Sequence, residues 1–170
     1  MLTALQILTY PDKFLKQKTL PVENIDGALQ TVFENMAMTM YNAPGIGLAA
    51  PQVGIGQSFI IYDIAPREEG QDLHVLVNPK IISREGELLS ENEGCLSVPD
   101  FRADVKRAER ILVEGVDHDG NPLRFEAEGM HAIVIQHEMD HLEGTLFIDR
   151  ISTLKRQLYK RKVQKELKRR

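Results

Sequence analysis

Two histidines and a glutamate in the run His137-Glu138-Met139-Asp140-His141 are the residues of this chain best spaced to do chemistry. At about 100° per residue, imidazoles at i and i+4 fall within about 40° of each other on one helix face, one turn apart, and can close on a single ion. Glu138 flanks the first of them, close enough to take a proton from a water activated there. The competing reading is a pair of core histidines in a buried helix, but both would need polar partners on the same face, and an unpartnered buried imidazole is costly. A catalytic site of the zinc type has three protein ligands and an open position, so a third ligand is owed. Six residues beyond His141, where a third histidine would extend the motif, stands Phe147; His118 falls in a turn and His131 on another helix face. Cys95 is the only cysteine and lies in Glu93-Gly94-Cys95-Leu96-Ser97, a polar, glycine-containing segment unlike a core strand. A thiolate complements two imidazoles, and a metal would bind it ionised. A packed free thiol is the alternative.

The segment Gly45-Ile46-Gly47-Leu48-Ala49-Ala50-Pro51-Gln52 contains G-x-G-x-x-A, but a helix rather than a strand precedes it and Pro51 stands where a phosphate-binding helix would run. The dinucleotide reading fails on that context. What remains is a glycine-rich turn that brings backbone close to a neighbour, with Gln52 able to offer an amide N–H to an oxygen. On the histidine helix, Met130, Ile133 and Val134 lie within about 60° of the His137 direction, one to two turns earlier. They make an apolar surface beside the candidate ligands that Ile46 can close into a slot for a linear apolar side chain, or else they are the core stripe of a buried helix.

These residues must be held by elements with their own signals. Asp26 caps a helix carrying Leu29, Val32, Phe33, Met36 and Met40 at helical spacing, which Pro44-Gly45 stops. Short β-branched runs at 57–63, 74–83 and 111–117 read as strands, and Asp119-Gly120 turns the last into 123–127. Residues 130–143 return to helix, and Ala132, Ile133, Val134 and Ile135 are apolar around a full turn, so that helix is central and buried. Helices segregated from hairpins make the class α+β, with short, mostly antiparallel sheets.

A chain of 170 residues, 42% apolar and 27% charged, is an ordinary globular chain of one domain rather than a disordered, collagen-like or coiled-coil one. Residues 1–150 read as the unit that carries the chemistry and 151–170 as an appended basic helix. No signal-peptide pattern opens the sequence, and no strongly apolar run exceeds four residues. A single cysteine cannot form an internal disulfide, so a reducing, cytoplasmic location is expected and no membrane partner. The net charge of −4 hides an asymmetry, because residues 150–170 hold ten Lys or Arg against one acid, and residues 1–149 hold 11 basic against 24 acidic residues. So acidic a body does not invite DNA or any other polyanion; such contact belongs to the tail. There Ser152 or Thr153 caps a helix to about Leu167. Ile151, Leu154 and Leu158 form its expected docking stripe, Val163 and Leu167 have rotated off it, and the basic outer half projects. A solvated basic face that only aids solubility is the alternative.

Residues 45–52, 93–97 and 136–144 together resemble the signature motifs of the peptide deformylases, in the right order. The chain is similar over nearly its whole length to the bacterial type with a C-terminal helix, including its Tyr10-Pro11-Asp12 opening. The resemblance implies an α+β fold around the HExxH helix and hydrolysis of the N-formyl group from the formylmethionine of nascent chains, with release of formate. It implies Cys95, His137 and His141 as metal ligands, Glu138 as general acid and base, and Gln52 with the Leu96 amide as oxyanion donors. Gly45, Ile46, Gly47, Met130, Ile133 and Val134 are the expected substrate pocket. Fe(II) is the implied ion, and the nitrogen and thiolate donors also accept Zn, Ni or Co. Docking of the basic helix on ribosomal RNA near the tunnel exit is implied as well. Two rivals are a zinc endopeptidase, which usually draws its third ligand from downstream, and a non-catalytic metal module, which would need a fourth protein ligand.

Overall fold

The computed structural model describes residues 1–170. Its first helix, α1 (Gly27–Asn42), starts where expected: the Asp26 carboxylate accepts the Leu29 N–H at 2.9 Å. Leu29, Phe33, Met36 and Met40 form its buried face, with Val32 partly covered. Seven strands follow: β1 (Gly47–Ala49), β2 (Phe59–Tyr62), β3 (His74–Glu85), β4 (Leu88–Cys95), β5 (Val98–Arg107), β6 (Arg110–Val116) and β7 (Pro122–Glu128). Five of them make one antiparallel sheet in the order β1-β2-β3-β6-β7, while β4 and β5 pair as a separate hairpin. α2 (Met130–Leu142) and α3 (Thr153–Lys168) complete the order, which is the α+β class expected.

Both faces of the larger sheet are covered, and the two-residue period of a strand assigns each side chain its layer. Phe59 and Ile61 of β2 join α1 in one apolar cluster, whereas Ile60 and Tyr62 face the other way into a cluster with α2. Leu48 and Ala49 of β1, and Val77 and Leu76 of β3, divide in the same manner. This is why β2 is buried at all four positions instead of alternating with polar residues.

Two sequence expectations are corrected and a third is sharpened. Residues 45–52 are not one turn, because Gly47–Ala49 pair with β2, Gly47 opposite Tyr62, before a 3₁₀ turn over Ala50–Val53. Residues 93–97, read only as unlike a core strand, begin in a peripheral one, since β4 runs through Cys95 and only Leu96 and Ser97 turn the chain into β5. The covered face of this hairpin itself holds polar residues, Ser90, Glu93 and Arg107, which is why hydropathy does not mark the strand. α3 is capped by Ser152, whose Oγ accepts the Lys155 N–H at 3.3 Å, but it docks on a different stripe. Leu154 and Leu158 are 71% and 56% exposed, whereas Tyr159 and Val163 are buried with Phe147 and Val98. The Tyr159 ring lies 4.8 Å from that of Phe101 and 5.7 Å from that of Tyr10, and burying this larger aromatic surface outweighs burying two leucines. No helix is long and apolar enough to cross a membrane.

Candidate active site

α2 is launched by Gly129, whose φ of 59° and ψ of −133° suit glycine alone. Ala132 and Ile135 anchor the helix in the apolar layer behind the sheet. Gln136 then locks its rotation, its amide donating to the Ala108 carbonyl at 2.9 Å and accepting the Ala108 N–H at 3.0 Å. With rotation fixed, His137 and His141 stand together, ring centroids 5.4 Å apart and planes at 65°.

The end of β4 brings the thiol. Cys95 Sγ is 3.4 Å from His141 Nε2, and one donor atom from each of Cys95, His137 and His141 lies within 4.8 Å of the other two. One sulfur and two imidazole nitrogens suit a divalent ion of the zinc, nickel, cobalt or iron(II) kind. His137 Nδ1 bonds Glu93 Oε1 at 2.6 Å, which turns Nε2 toward the cluster. Burial would lower the His137 pKa, but the bonds with Cys95 and Glu93 hold it well above its ordinary value, so an ion bound there would displace a proton from Nε2. Burial pushes the His141 imidazole well below its ordinary pKa, so it stands there as a neutral donor. By the chemistry and orientation of its donors, the cluster fits such an ion.

Glu138 is buried against this group, with Oε1 3.8 Å from His137 Nε2 and Oε2 without any hydrogen-bond partner. Burial pushes its carboxyl up to about 7. The backbone of β1 leaves it room: a Cβ on Gly47 would stand 2.9 Å from both the Cγ and Oε1 of Glu138. Gln52 is held by its Oε1, which accepts the Ala49 N–H at 2.9 Å, so that Nε2 points at Ser97 Oγ, 3.1 Å away, and toward Cys95 Sγ at 3.6 Å. The Leu96 N–H, in the turn beside Cys95, donates to no other group of the chain.

These groups sit along a cavity of about 780 Å³. Gly45, Ile46, Gly47, Met130, Ile133 and Val134 all line it, together with Gln52, Cys95, Leu96, His137 and Glu138, whereas His141 lies behind. Met130 and Ile46 are exposed at its mouth and Val134 is buried in its wall. The cavity separates β1, at one edge of the large sheet, from β4 of the hairpin.

Sequence reading missed the support behind the histidines. Arg107, 2% exposed in its side chain, pairs with Glu93 and, at 2.7 Å, with Asp140, which Arg150 also grips through two contacts of 2.6 Å. Burial alone would raise the Glu93 pKa, but the hydrogen bonds from His137 and Arg107 hold it at about 2. Glu93 and Asp140 lie inside the quoted motifs and were legible as polar residues beside ligands; nothing local marks Arg107, 30 residues ahead of His137.

An α+β scaffold that buries an HExxH helix beside a thiol, under an open cleft, is the framework of a hydrolase. Residues 4–157 match the polypeptide deformylase family, and the chain belongs to it. It is 56% identical to the peptide deformylase of Desulfosudis oleivorans over 98% of this chain and 96% of that one. The crystal structure of a peptide deformylase from Legionella pneumophila superposes with a TM-score of 0.89 at 42% identity, covering 98% of this chain and 96% of the other. A Met-Ala-Ser-bound peptide deformylase from Acinetobacter baumannii superposes with a TM-score of 0.82 at 36% identity, over 89% of this chain and 100% of that one.

Proposed function

We propose that this chain hydrolyses the N-formyl group from the N-terminal formylmethionine of nascent polypeptides in the cytoplasm, releasing formate, with one divalent metal held by Cys95, His137 and His141. The observation that carries the reading is Glu138: a buried carboxylate with one oxygen unpartnered, beside three converging ligand atoms at the wall of an open cavity. A divalent ion at those donors supplies Lewis acidity and lowers the pKa of water toward neutrality. Fe(II) is the proposed working ion, with Zn, Ni or Co as substitutes. Residues 1–150 form the catalytic unit, and the basic helix of 151–170 serves contact with ribosomal RNA near the tunnel exit.

Each remaining requirement falls to a residue of the chain. Glu138 removes a proton from the attacking water and returns one to the leaving amine, so one carboxylate serves both steps. Gln52 Nε2 and the Leu96 N–H donate to the oxyanion that develops on the formyl oxygen, where loss of one donor costs about 10²-fold or more in rate. Met130, Ile133 and Val134, with Ile46 opposite, take the methionine side chain. The edges of β1 and β4 on either side of the cavity suit an extended peptide backbone, which strands recognise through main-chain hydrogen bonds. The Met-Ala-Ser peptide bound by the Acinetobacter relative favours the same class of ligand.

Formate release from formyl-Met-Ala-Ser by metal-loaded protein is the test. Cleavage of an unformylated peptide instead would favour an endopeptidase, and absence of both activities would favour a binding module. Anaerobic purification with metal analysis decides the ion: activity that follows iron content and is lost in air supports Fe(II), and an equally active, air-stable zinc form counts against it.

A further inference from the structure

The side wall of the cavity has a support that the chemistry does not use. Between the end of α1 and the start of β1 the chain has no regular structure, yet residues 45 and 46 form the rim of the cavity. The Gly45 N–H donates to the Met40 carbonyl at 2.7 Å and the Ile46 carbonyl accepts the Asp63 N–H at 2.9 Å, which ties the rim to its own neighbours. The Gly45 carbonyl is taken by a distant side chain, Arg67 Nη2, at 2.9 Å. Arg67 comes from a short 3₁₀ turn (Arg67–Glu69) in the excursion between β2 and β3, and its guanidinium lies 5.0 Å from the centre of the Tyr41 ring.

That excursion is itself organised around one buried carboxylate. Asp63 accepts the Tyr41 hydroxyl at 2.6 Å, the Ala65 N–H at 3.0 Å and the Asp72 N–H at 2.8 Å, closing the loop at both ends so that Arg67 is delivered to one place. On the other side of Gly45 the clearance is small: a Cβ there would stand 3.0 Å from Leu96 Cδ1. Gly45 therefore packs on the Leu96 side chain, and the two make one stretch of cavity wall, held on one side through Arg67 and on the other by the turn after Cys95.

We propose that Arg67 is a positioning residue for substrate: by holding the Gly45 carbonyl it fixes where the rim of residues 45–46 stands against Leu96, and with it the fit of the peptide in the cavity. The proposal rests on the reading of this cavity as the peptide site. Arg67 touches neither Glu138 nor the candidate ligands, so its loss acts on binding and leaves the chemical step alone. A charged hydrogen bond in an exposed setting is worth about a 3- to 10-fold change in KM.

The experiment compares metal-loaded full-length wild type, Arg67→Ala, Arg67→Lys and Glu69→Gln, the last altering the same turn at a side chain that contacts nothing in the rim. Two quantities are read: kcat and KM for formyl-Met-Ala-Ser, and amide hydrogen exchange of residues 43–48. In Arg67→Ala, KM rises within that range, kcat stays within about twofold, and the rim exchanges faster. Arg67→Lys, which keeps a donor and a cation over Tyr41, recovers part of both, and Glu69→Gln matches wild type. An unchanged KM, an unchanged exchange rate, a fall in kcat at constant KM, or an equal effect of Glu69→Gln would each overturn the proposal. Failure of the wild type to release formate would instead overturn the functional reading on which the substrate claim rests.

Discussion

At the scale of single residues, the site depends on a carboxylate kept in place by an absent side chain. Glu138→Ala removes the proposed proton carrier but none of the three candidate ligands, so the variant is expected to bind metal with full stoichiometry and lose nearly all turnover. Substantial activity at full occupancy would reject the role. Gly47→Ala tests the positioning of the same carboxylate from the other side. The added Cβ would meet Glu138 Cγ and Oε1 at 2.9 Å, so the carboxylate must move, and misplacement of a reacting group by about 1 Å costs on the order of 10²-fold. Its metal content should stay at the wild-type level while kcat falls; an unchanged kcat would mean that Glu138 tolerates the shift. The sequence announced Glu138, His137 and His141, because i, i+4 spacing on a helix is itself geometry. It offered Gly47 as part of a glycine-rich turn that approaches a neighbour but did not name the neighbour, since what a missing Cβ makes room for is set by α2, some 90 residues away. Arg107 and its bond to Glu93 were invisible for the same reason.

Among the elements, α1, α2 and four of the five strands of the large sheet were readable because each buries one face or both, and burial writes a period into the sequence; β1, three residues long and opened by a glycine, was read as a turn. The hairpin of β4 and β5 was not readable, because Leu88–Cys95 buries the polar Ser90 and Glu93 while exposing Leu89, against its hydropathy, and its pairing is carried by backbone groups common to every residue. The stripe of α3 was read only in part: Ile151 packs on the body as expected, but Leu154 and Leu158 do not, and Tyr159 takes their place because its partners, Tyr10 and Phe101, are remote in sequence. Tyr159→Ala should therefore destabilise the protein by about 3 kcal/mol, the usual cost of emptying an aromatic site, and Leu158→Ala by less than about 0.5 kcal/mol. Urea midpoints of the two variants decide, and equal losses would restore the leucine stripe. The loop between β2 and β3 makes a pH prediction. Burial would raise the Asp63 pKa, yet hydrogen bonds from Tyr41 and the Asp72 and Ala65 amides, with Arg67 nearby, bring it below its ordinary value. A carboxylate depressed in the folded state stabilises above its unfolded pKa of about 3.9, and that stability is lost as pH falls through the lower folded value. Asp63→Asn should be less stable than wild type at pH 7 and lose less on acidification below about pH 4. Parallel stability curves for the two proteins would show that Asp63 contributes nothing to the acid limb.

Across the whole molecule, charge is segregated between the body and the C-terminal helix. The acidic body presents the cavity, and the cations gather on the outer turns of α3, where Lys165, Lys168, Arg169 and Arg170 are exposed. Tyr159 and Val163 hold the helix to the body from the other side, so docking and charge can be separated by mutation, which deletion of residues 160–170 would not do because it also removes Val163. Lys165→Gln, Lys168→Gln and Arg169→Gln together keep both anchors and avoid placing acids at a helix C-terminus, where they oppose its dipole. If this face meets ribosomal RNA, each lost cation releases one phosphate contact. The slope of log K against log salt for ribosome co-sedimentation should then become shallower by about 2 to 3, and the bound fraction at low salt should fall. Turnover of formyl-Met-Ala-Ser should be unaffected, because none of these side chains lines the cavity. Undiminished co-sedimentation of the triple variant would assign the basic face to solvation alone.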